Sequence, residues 1–117
     1  MIVDHVLAVV PVTDMAISRE WYERLLGRKP DNNPMDVLVE WQLADHGWLQ
    51  ATVDTARAGT ALVNLAVADL ADVVVELVDR GVTPGEIVQA NKGVELCSIT
   101  DPDGNVVTLI GNFRVRY

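Results

Sequence analysis

The chain repeats one pattern at half of its length. Residues 7–15 read LAVVPVTDM and residues 62–70 read LVNLAVADL, so matching segments begin at positions 7 and 62, an offset of 55. Each segment is an apolar, strand-like run that ends in Val-x-Asp, and an amphipathic stretch then leads to Gly27 or Gly81. A repeat of this length in 117 residues indicates two copies of one supersecondary unit that share a core.

Hydrophobic periodicity predicts the same elements in both copies. Two helices are expected, one capped by Thr13 or Asp14 and the other capped by Asp69. A stripe of Ile17, Trp21, Tyr22 and Leu25 is expected to bury one face of the first helix. The predicted strands are residues 5–12, 36–43, 48–53, 62–67, 86–89, 94–99 and 105–110. The order is βαβββ twice, an α+β fold of curved antiparallel sheets in which the proline-containing residues 28–35 are expected to form an irregular loop.

The composition narrows the range of partners. Seventeen acidic residues against nine basic ones give a net charge of −8, which argues against binding nucleic acid. No apolar run is long enough to span a membrane, and the N-terminus does not resemble a signal peptide. The single Cys97 excludes an internal disulfide, so we expect a cytoplasmic protein. Its acidity serves either a solvated surface or a pocket for cationic ligands.

Two motifs connect this pattern with a known family. The first is Val12-Thr13-Asp14 followed by WYERLLG at 21–27, and the second is TDPDGN at 100–105 followed by an apolar strand. In this order and spacing they resemble the glyoxalase/bleomycin resistance/extradiol dioxygenase superfamily, also called the vicinal oxygen chelate fold. The resemblance spans nearly all of residues 1–117 as one domain, with modules at about 1–55 and 60–112. It implies that the sheets enclose a cleft, that the helices lie on the convex side, and that two chains pair as a homodimer.

Enzymes of this superfamily hold a divalent metal with four histidine and glutamate side chains on the concave face. The resemblance places these four positions at Leu7, Gln50, Leu62 and Thr108. Leucine has no donor atom, and neutral glutamine and threonine are poor ligands for such a metal. We therefore expect no metal and no other cofactor.

The predicted cleft is instead apolar, with an indole and a few hydrogen-bonding groups, as is typical of a small-molecule pocket. Trp41 and Trp48 flank the first hairpin and either stack on a planar ligand or plug the sheet edge or the dimer seam. The predicted ligand-binding residues are His5, Leu7, Glu40, Trp41, Gln42, Trp48, Gln50, Leu62, Asn64 and Thr108.

Three functions remain open at this point. The first is a metal-free binding protein, similar to the bleomycin resistance branch, that sequesters an aromatic or cationic antibiotic. The second is a lyase, isomerase or dioxygenase with an atypical metal or none, in which His5, Glu40 or a residue of a dimer partner acts as base. The third is a structural or regulatory module whose cleft is filled by its own side chains. No catalytic set is recognisable, so no catalytic residue is predicted.

Overall fold

The computed structural model of the protein describes residues 1–116. Its helices and strands follow one another in two βαβββ modules, which confirms the predicted α+β fold. In chain order they are β1 (Val6–Val12), α1 (Met15–Leu26), β2 (Asn32–Met35), β3 (Leu38–Ala44), β4 (Gly47–Val53), β5 (Leu62–Val67), α2 (Leu70–Asp79), β6 (Ile87–Gln89), β7 (Glu95–Thr100) and β8 (Val106–Gly111). Within the described residues, neither helix is long and apolar enough to cross a membrane.

Each module forms its own four-stranded mixed sheet. The strand orders are β1-β4-β3-β2 and β5-β8-β7-β6, with the first strand of each module parallel to its last and the other pairs antiparallel. The prediction of fully antiparallel sheets is therefore wrong at one edge of each sheet. The helix returns the chain to the end of the sheet at which the first strand begins. The three strands that follow alternate in direction, so the last one runs parallel to the first and pairs with it.

Residues 28–35 are not wholly irregular, because β2 forms within them. This short strand is fully exposed and pairs with β3 through a shifted register. Pro34 is tolerated there because an edge strand has one side with no ladder hydrogen bonds to make.

Both helices begin at a predicted aspartate cap. The carboxylates of Asp14 and Asp69 accept the backbone N–H three residues further on, at 3.0 and 3.1 Å. Gly27 then ends α1 at φ 77°, and Gly81 follows α2 at φ 80°, a left-handed conformation that glycine adopts without strain.

The buried face of α1 agrees with the predicted stripe except at Ile17. Its buried residues are Ser18, Tyr22 and Leu25, whereas Ile17 is 55% exposed. The Tyr22 ring packs near that of Trp41, with ring centroids 6.2 Å apart. Tyr22 and Leu25 are thus buried as predicted and Trp21 packs against the core while partly buried, whereas the expected burial of Ile17 is wrong.

The turn between β7 and β8 is held together by one buried carboxylate. Asp101 Oδ1 accepts the backbone N–H groups of residues 103, 104 and 105, each at 2.9 Å. Its Oδ2 accepts the hydroxyl of Tyr22 and the side-chain amide of Asn105, both at 2.8 Å. Burial, followed by the negative charge of Asp101, raises the pKa of Tyr22, so this phenol remains a hydrogen-bond donor.

The same turn joins the two modules. The Asn105 amide donates to the carbonyl oxygen of Pro11 at 2.8 Å, and its oxygen accepts the N–H of Ala61 at 2.9 Å. The Asp103 carboxylate accepts the hydroxyl of Thr13 at 2.6 Å. The first module is thereby fixed to the second, and buried residues of both contribute to one hydrophobic core.

We expect Asp101→Ala to lower the free energy of unfolding by about 2–4 kcal/mol, because it leaves the buried Tyr22 hydroxyl and one Asn105 N–H without their acceptor. Urea denaturation followed by circular dichroism measures this change. Asp36→Ala, at an exposed turn position, is the matched control and should shift stability by less than about 0.5 kcal/mol. Equal losses in both variants would contradict the role of Asp101.

Candidate functional site

Each sheet has one face packed on its helix and one open face, because side chains alternate along a strand. In β4, for example, Leu49 and Ala51 are buried while Trp48 and Gln50 are half-buried on the other side. The first open face consists of Leu7, Val9, Leu38, Glu40, Gln42, Trp48, Gln50 and Thr52. The second open face consists of Leu62, Asn64, Ala66, Leu96, Ser98, Thr100, Val106, Thr108 and Ile110. Most of the predicted site residues therefore lie on these two faces.

A fixed carboxylate lies near the middle of the first open face. Glu40 is opposite Gln50 in the β3–β4 register and accepts its amide N–H at 2.7 Å. The second carboxylate oxygen of Glu40 accepts the amide of Asn32, on β2, at 3.0 Å. Both amides turn their N–H groups to Glu40, so their carbonyl oxygens are free to point elsewhere. The group is rich in acceptors and suits a ligand that donates hydrogen bonds or carries positive charge.

Sequence reasoning missed Asn32 because it fell within the stretch read as an irregular loop. The sequence around Asn32 contains only a weak signal for a strand. Only the pairing of β2 with β3, in which Asn32 lies opposite Glu40, places the two side chains together. The exposed edge strand thus completes the polar group.

Trp48 is anchored at one end of the first open face. Its indole N–H donates to Nδ1 of His5 at 3.0 Å, and Leu7 is its neighbour on the parallel strand β1. The ring of His46, in the β3–β4 turn, lies 5.3 Å from that of His5 between centroids. Gln42 is the other cross-strand neighbour of Trp48, but its amide donates to the carbonyl oxygen of Asp45 and so stabilises the hairpin turn.

Trp41 does not belong to the site. It is fully buried and its indole N–H donates to the carbonyl oxygen of Arg28 at 3.0 Å. Trp41 follows Glu40 along β3, so it points to the opposite face, toward the helix. The prediction that Trp41 contacts a ligand is therefore wrong.

The polar side chains of the second open face are all uncharged. Leu62 is 81% exposed at the start of β5, and Asn64 is exposed two residues further on. Thr108 lies opposite Asn64 and shares a hydrogen bond of 2.9 Å with the hydroxyl of Ser98. This face offers hydrocarbon, three hydroxyl groups and one amide, without a charged side chain.

One cavity brings the two modules together. It has a volume of about 420 Å³ and is lined by residues of β1, the end of α1, the β3–β4 hairpin and β5. Trp48 and Asn64, one from each module, both line it, while most of the other lining side chains are apolar. The volume is within the range of small-molecule pockets. Glu40, Gln50, Leu62 and Thr108 do not line this cavity.

The four positions at which the sequence resemblance places metal ligands, Leu7, Gln50, Leu62 and Thr108, occupy equivalent places in the two modules. Gln50 pairs with the residue two places after Leu7, and Thr108 pairs with the residue two places after Leu62. Two of these four side chains are hydrocarbon and the other two are neutral oxygen donors, so the set does not fit a divalent metal. Among residues 1–116, no three His, Cys, Asp or Glu side chains are grouped so that they could hold a metal ion.

The groups with shifted pKa values serve the structure. Burial raises the pKa of Cys97, whose free thiol lies in the core. The Arg28 guanidinium, together with the backbone N–H of Gln42, lowers the pKa of Asp31 in the loop before β2. Like Tyr22, these groups are engaged in core or loop contacts and do not form a proton-transfer site on the open faces.

Comparison with solved structures places the chain in a family. A glyoxalase/bleomycin resistance protein from Catenulispora acidiphila is 30% identical, with a TM-score of 0.86 over 92% of this chain and 96% of that protein. The chain belongs to the glyoxalase/bleomycin resistance family. Neither a protein-family model nor a curated protein matches the sequence.

Two further similar structures are antibiotic-binding proteins. TnmS3, an antibiotic-binding protein from Streptomyces sp. CB03234, is 23% identical with a TM-score of 0.77, over 95% of this chain and 98% of that protein. A bleomycin-binding protein, solved in complex with bleomycin, is 21% identical with a TM-score of 0.77, over 94% of this chain and 99% of that protein. At these identities the likeness concerns the fold.

Proposed function

We propose that this protein is a single-domain, metal-free binding protein that sequesters an aromatic or cationic antibiotic and so protects the cell. The observation that carries the proposal is the first open face, where an anchored indole and a fixed carboxylate lie beside hydrocarbon at positions that hold metal in related enzymes. We place the protein in the cytoplasm, where the buried free thiol of Cys97 stays reduced.

The end and the middle of the first open face favour different parts of one ligand. Trp48 offers a planar apolar surface whose N–H is already satisfied by His5, which suits an aromatic group. Glu40, about two residues along the sheet, offers a negative charge held by Gln50 and Asn32, which suits an ammonium or amide group. That similar folds include a bleomycin-binding protein and an antibiotic-binding protein supports this ligand class.

We further propose that the protein acts as a homodimer in which the first open face of one chain meets the second open face of its partner. In the single chain Leu62 is 81% exposed, Leu7 43% and Val9 45%. Apolar side chains this exposed on the open faces of the two sheets favour association, because covering them removes hydrocarbon from water. A ligand would then lie in each of two clefts.

Trp48→Ala should weaken binding of phenazine, a neutral planar aromatic, by about 1–3 kcal/mol through loss of the stacking surface. Isothermal titration calorimetry measures the affinity, and circular dichroism checks that the variant is folded. Phe113→Ala removes an exposed aromatic ring outside both open faces and should bind phenazine like the wild type. Unchanged affinity in folded Trp48→Ala would remove Trp48 from the site.

Glu40→Gln should weaken binding of bleomycin, a cationic glycopeptide, by about 1.5–3 kcal/mol, because the neutral amide keeps the shape of the carboxylate without its charge. Phenazine binding should stay the same. Glu95→Gln removes an equal charge outside the open faces and serves as the control in the same titrations. Equal effects of Glu40→Gln on both ligands would argue against a charge-specific contact.

Leu62→Asp should raise the dissociation constant of the dimer at least about tenfold, because an unpaired carboxylate would be buried in the interface. Native mass spectrometry and sedimentation velocity measure the equilibrium. Val75→Asp, at a comparably exposed apolar position on α2, is the matched control and should leave the dimer intact. A wild-type protein that is monomeric at high micromolar concentration would overturn the proposed assembly.

A further inference from the structure

The two histidines of this chain lie side by side at the end of the first open face that carries Trp48. His5 precedes β1 and His46 lies in the β3–β4 turn, yet their ring centroids are 5.3 Å apart. Both line a cavity of about 290 Å³ together with residues 3, 4 and 6. Of the two, it is His5 that accepts the indole N–H of Trp48, at 3.0 Å.

This hydrogen bond defines the protonation state of His5. An imidazole nitrogen accepts a hydrogen bond only through a lone pair, so Nδ1 is unprotonated and the neutral ring carries its proton on Nε2. A second proton would make Nδ1 a donor facing another donor, the indole N–H. The bond to Trp48 therefore exists only while His5 is neutral.

We propose that His5 is a positioning residue that holds the Trp48 indole for its ligand, so that ligand affinity falls when His5 takes up a proton. The inference rests on the proposed function, which assigns Trp48 to the ligand site. The rings of His5 and Trp48 meet at 64° in an edge-on arrangement, so His5 fixes the edge of the indole and does not stack on its face. The face stays available for a planar ligand.

Among the described residues, those around His5 form no ion pair that would stabilise its protonated imidazole. Asp4 shares the cavity with His5 and His46, and Asp45 precedes His46 in the turn. Across residues 1–116, however, no carboxylate forms an ion pair with either imidazole. Two positive rings 5.3 Å apart would also repel each other. The bond to Trp48 is therefore the contact that is lost when His5 takes up a proton.

The test without ligand uses the indole N–H resonances in ¹H–¹⁵N spectra of the ¹⁵N-labelled protein between pH 8 and pH 5. The Trp48 resonance should move along a single titration curve. The Trp41 N–H donates to a backbone carbonyl oxygen, which does not titrate, so its resonance is an internal control that should stay in place. In His46→Gln the Trp48 curve should persist, because His5 and not His46 is the acceptor. A Trp48 resonance that does not titrate, or one that stops titrating only in His46→Gln, would overturn the proposal.

The test with ligand uses phenazine, which stays neutral over this range. Wild-type affinity should fall about three- to tenfold from pH 7.5 to pH 5, the effect of losing one hydrogen bond. His5→Gln keeps an acceptor that does not titrate, so affinity should stay high at both pH values. His5→Phe has no acceptor, so affinity should be low at both. If the role of His5 were merely structural, His5→Gln would bind phenazine as weakly as His5→Phe does. The affinity would then also keep its pH dependence in both variants.

The two tests separate this inference from the proposed function. If phenazine and bleomycin both fail to bind while the Trp48 resonance titrates, the proposed ligand class is wrong and the positioning of Trp48 by His5 is supported. If phenazine binds equally well at pH 7.5 and pH 5, the proposed function stands and the proton dependence is overturned.

Discussion

The architecture depends on the carboxylate of Asp101. One buried side chain closes the β7–β8 turn through three backbone N–H groups and also accepts the hydroxyl of Tyr22 from the other module. A buried carboxylate is costly unless every acceptor position is used, and here both oxygens are used. Through Asn105 and Asp103 the same turn contacts the strand and helix start of the first module. The relative placement of the two sheets thus follows from a turn of five residues.

That placement leaves each sheet with a free face. The helix side of both sheets contributes to one shared core, so the opposite faces have no helix of their own to cover them. Strand alternation then decides which residues are available for function, because every second side chain on each strand faces outward. Trp41 and Trp48 show the consequence: the first is fully buried against α1 and the second lies on the open face.

Much of the fold could be predicted because it follows from local rules. The half-length repeat, the aspartate caps at Asp14 and Asp69 and the glycines after the helices are local signals. The facing of Trp41 is also local, because strand alternation puts Trp41 on the face opposite Glu40 and Gln42, and the prediction that all three contact a ligand conflicts with that rule. The contacts that hold Trp41 and Tyr22 and the contribution of Asn32 were beyond the sequence because each depends on a distant partner. Arg28 and Tyr22 fix Trp41, Asp101 fixes Tyr22, and the pairing of a proline-containing edge strand fixes Asn32. The same limit applies to the bond between His5 and Trp48, which are separated by most of the first module.

The two modules share a backbone but differ in the chemistry of their open faces. In register, the place of Trp48 in the first sheet is taken by Val106 in the second, and the place of Glu40 by Ser98. A pair of identical faces would give a symmetric cleft, in which neither side determines how a ligand lies. Here the indole and the carboxylate belong to the first face, while the second offers hydrocarbon, hydroxyl groups and the amide of Asn64. A cleft that combines one face of each kind would fix the ligand from the first module and exclude water with the second. Leu7 and Leu62 serve this division, since each of the two exposed leucines adds apolar surface to one open face.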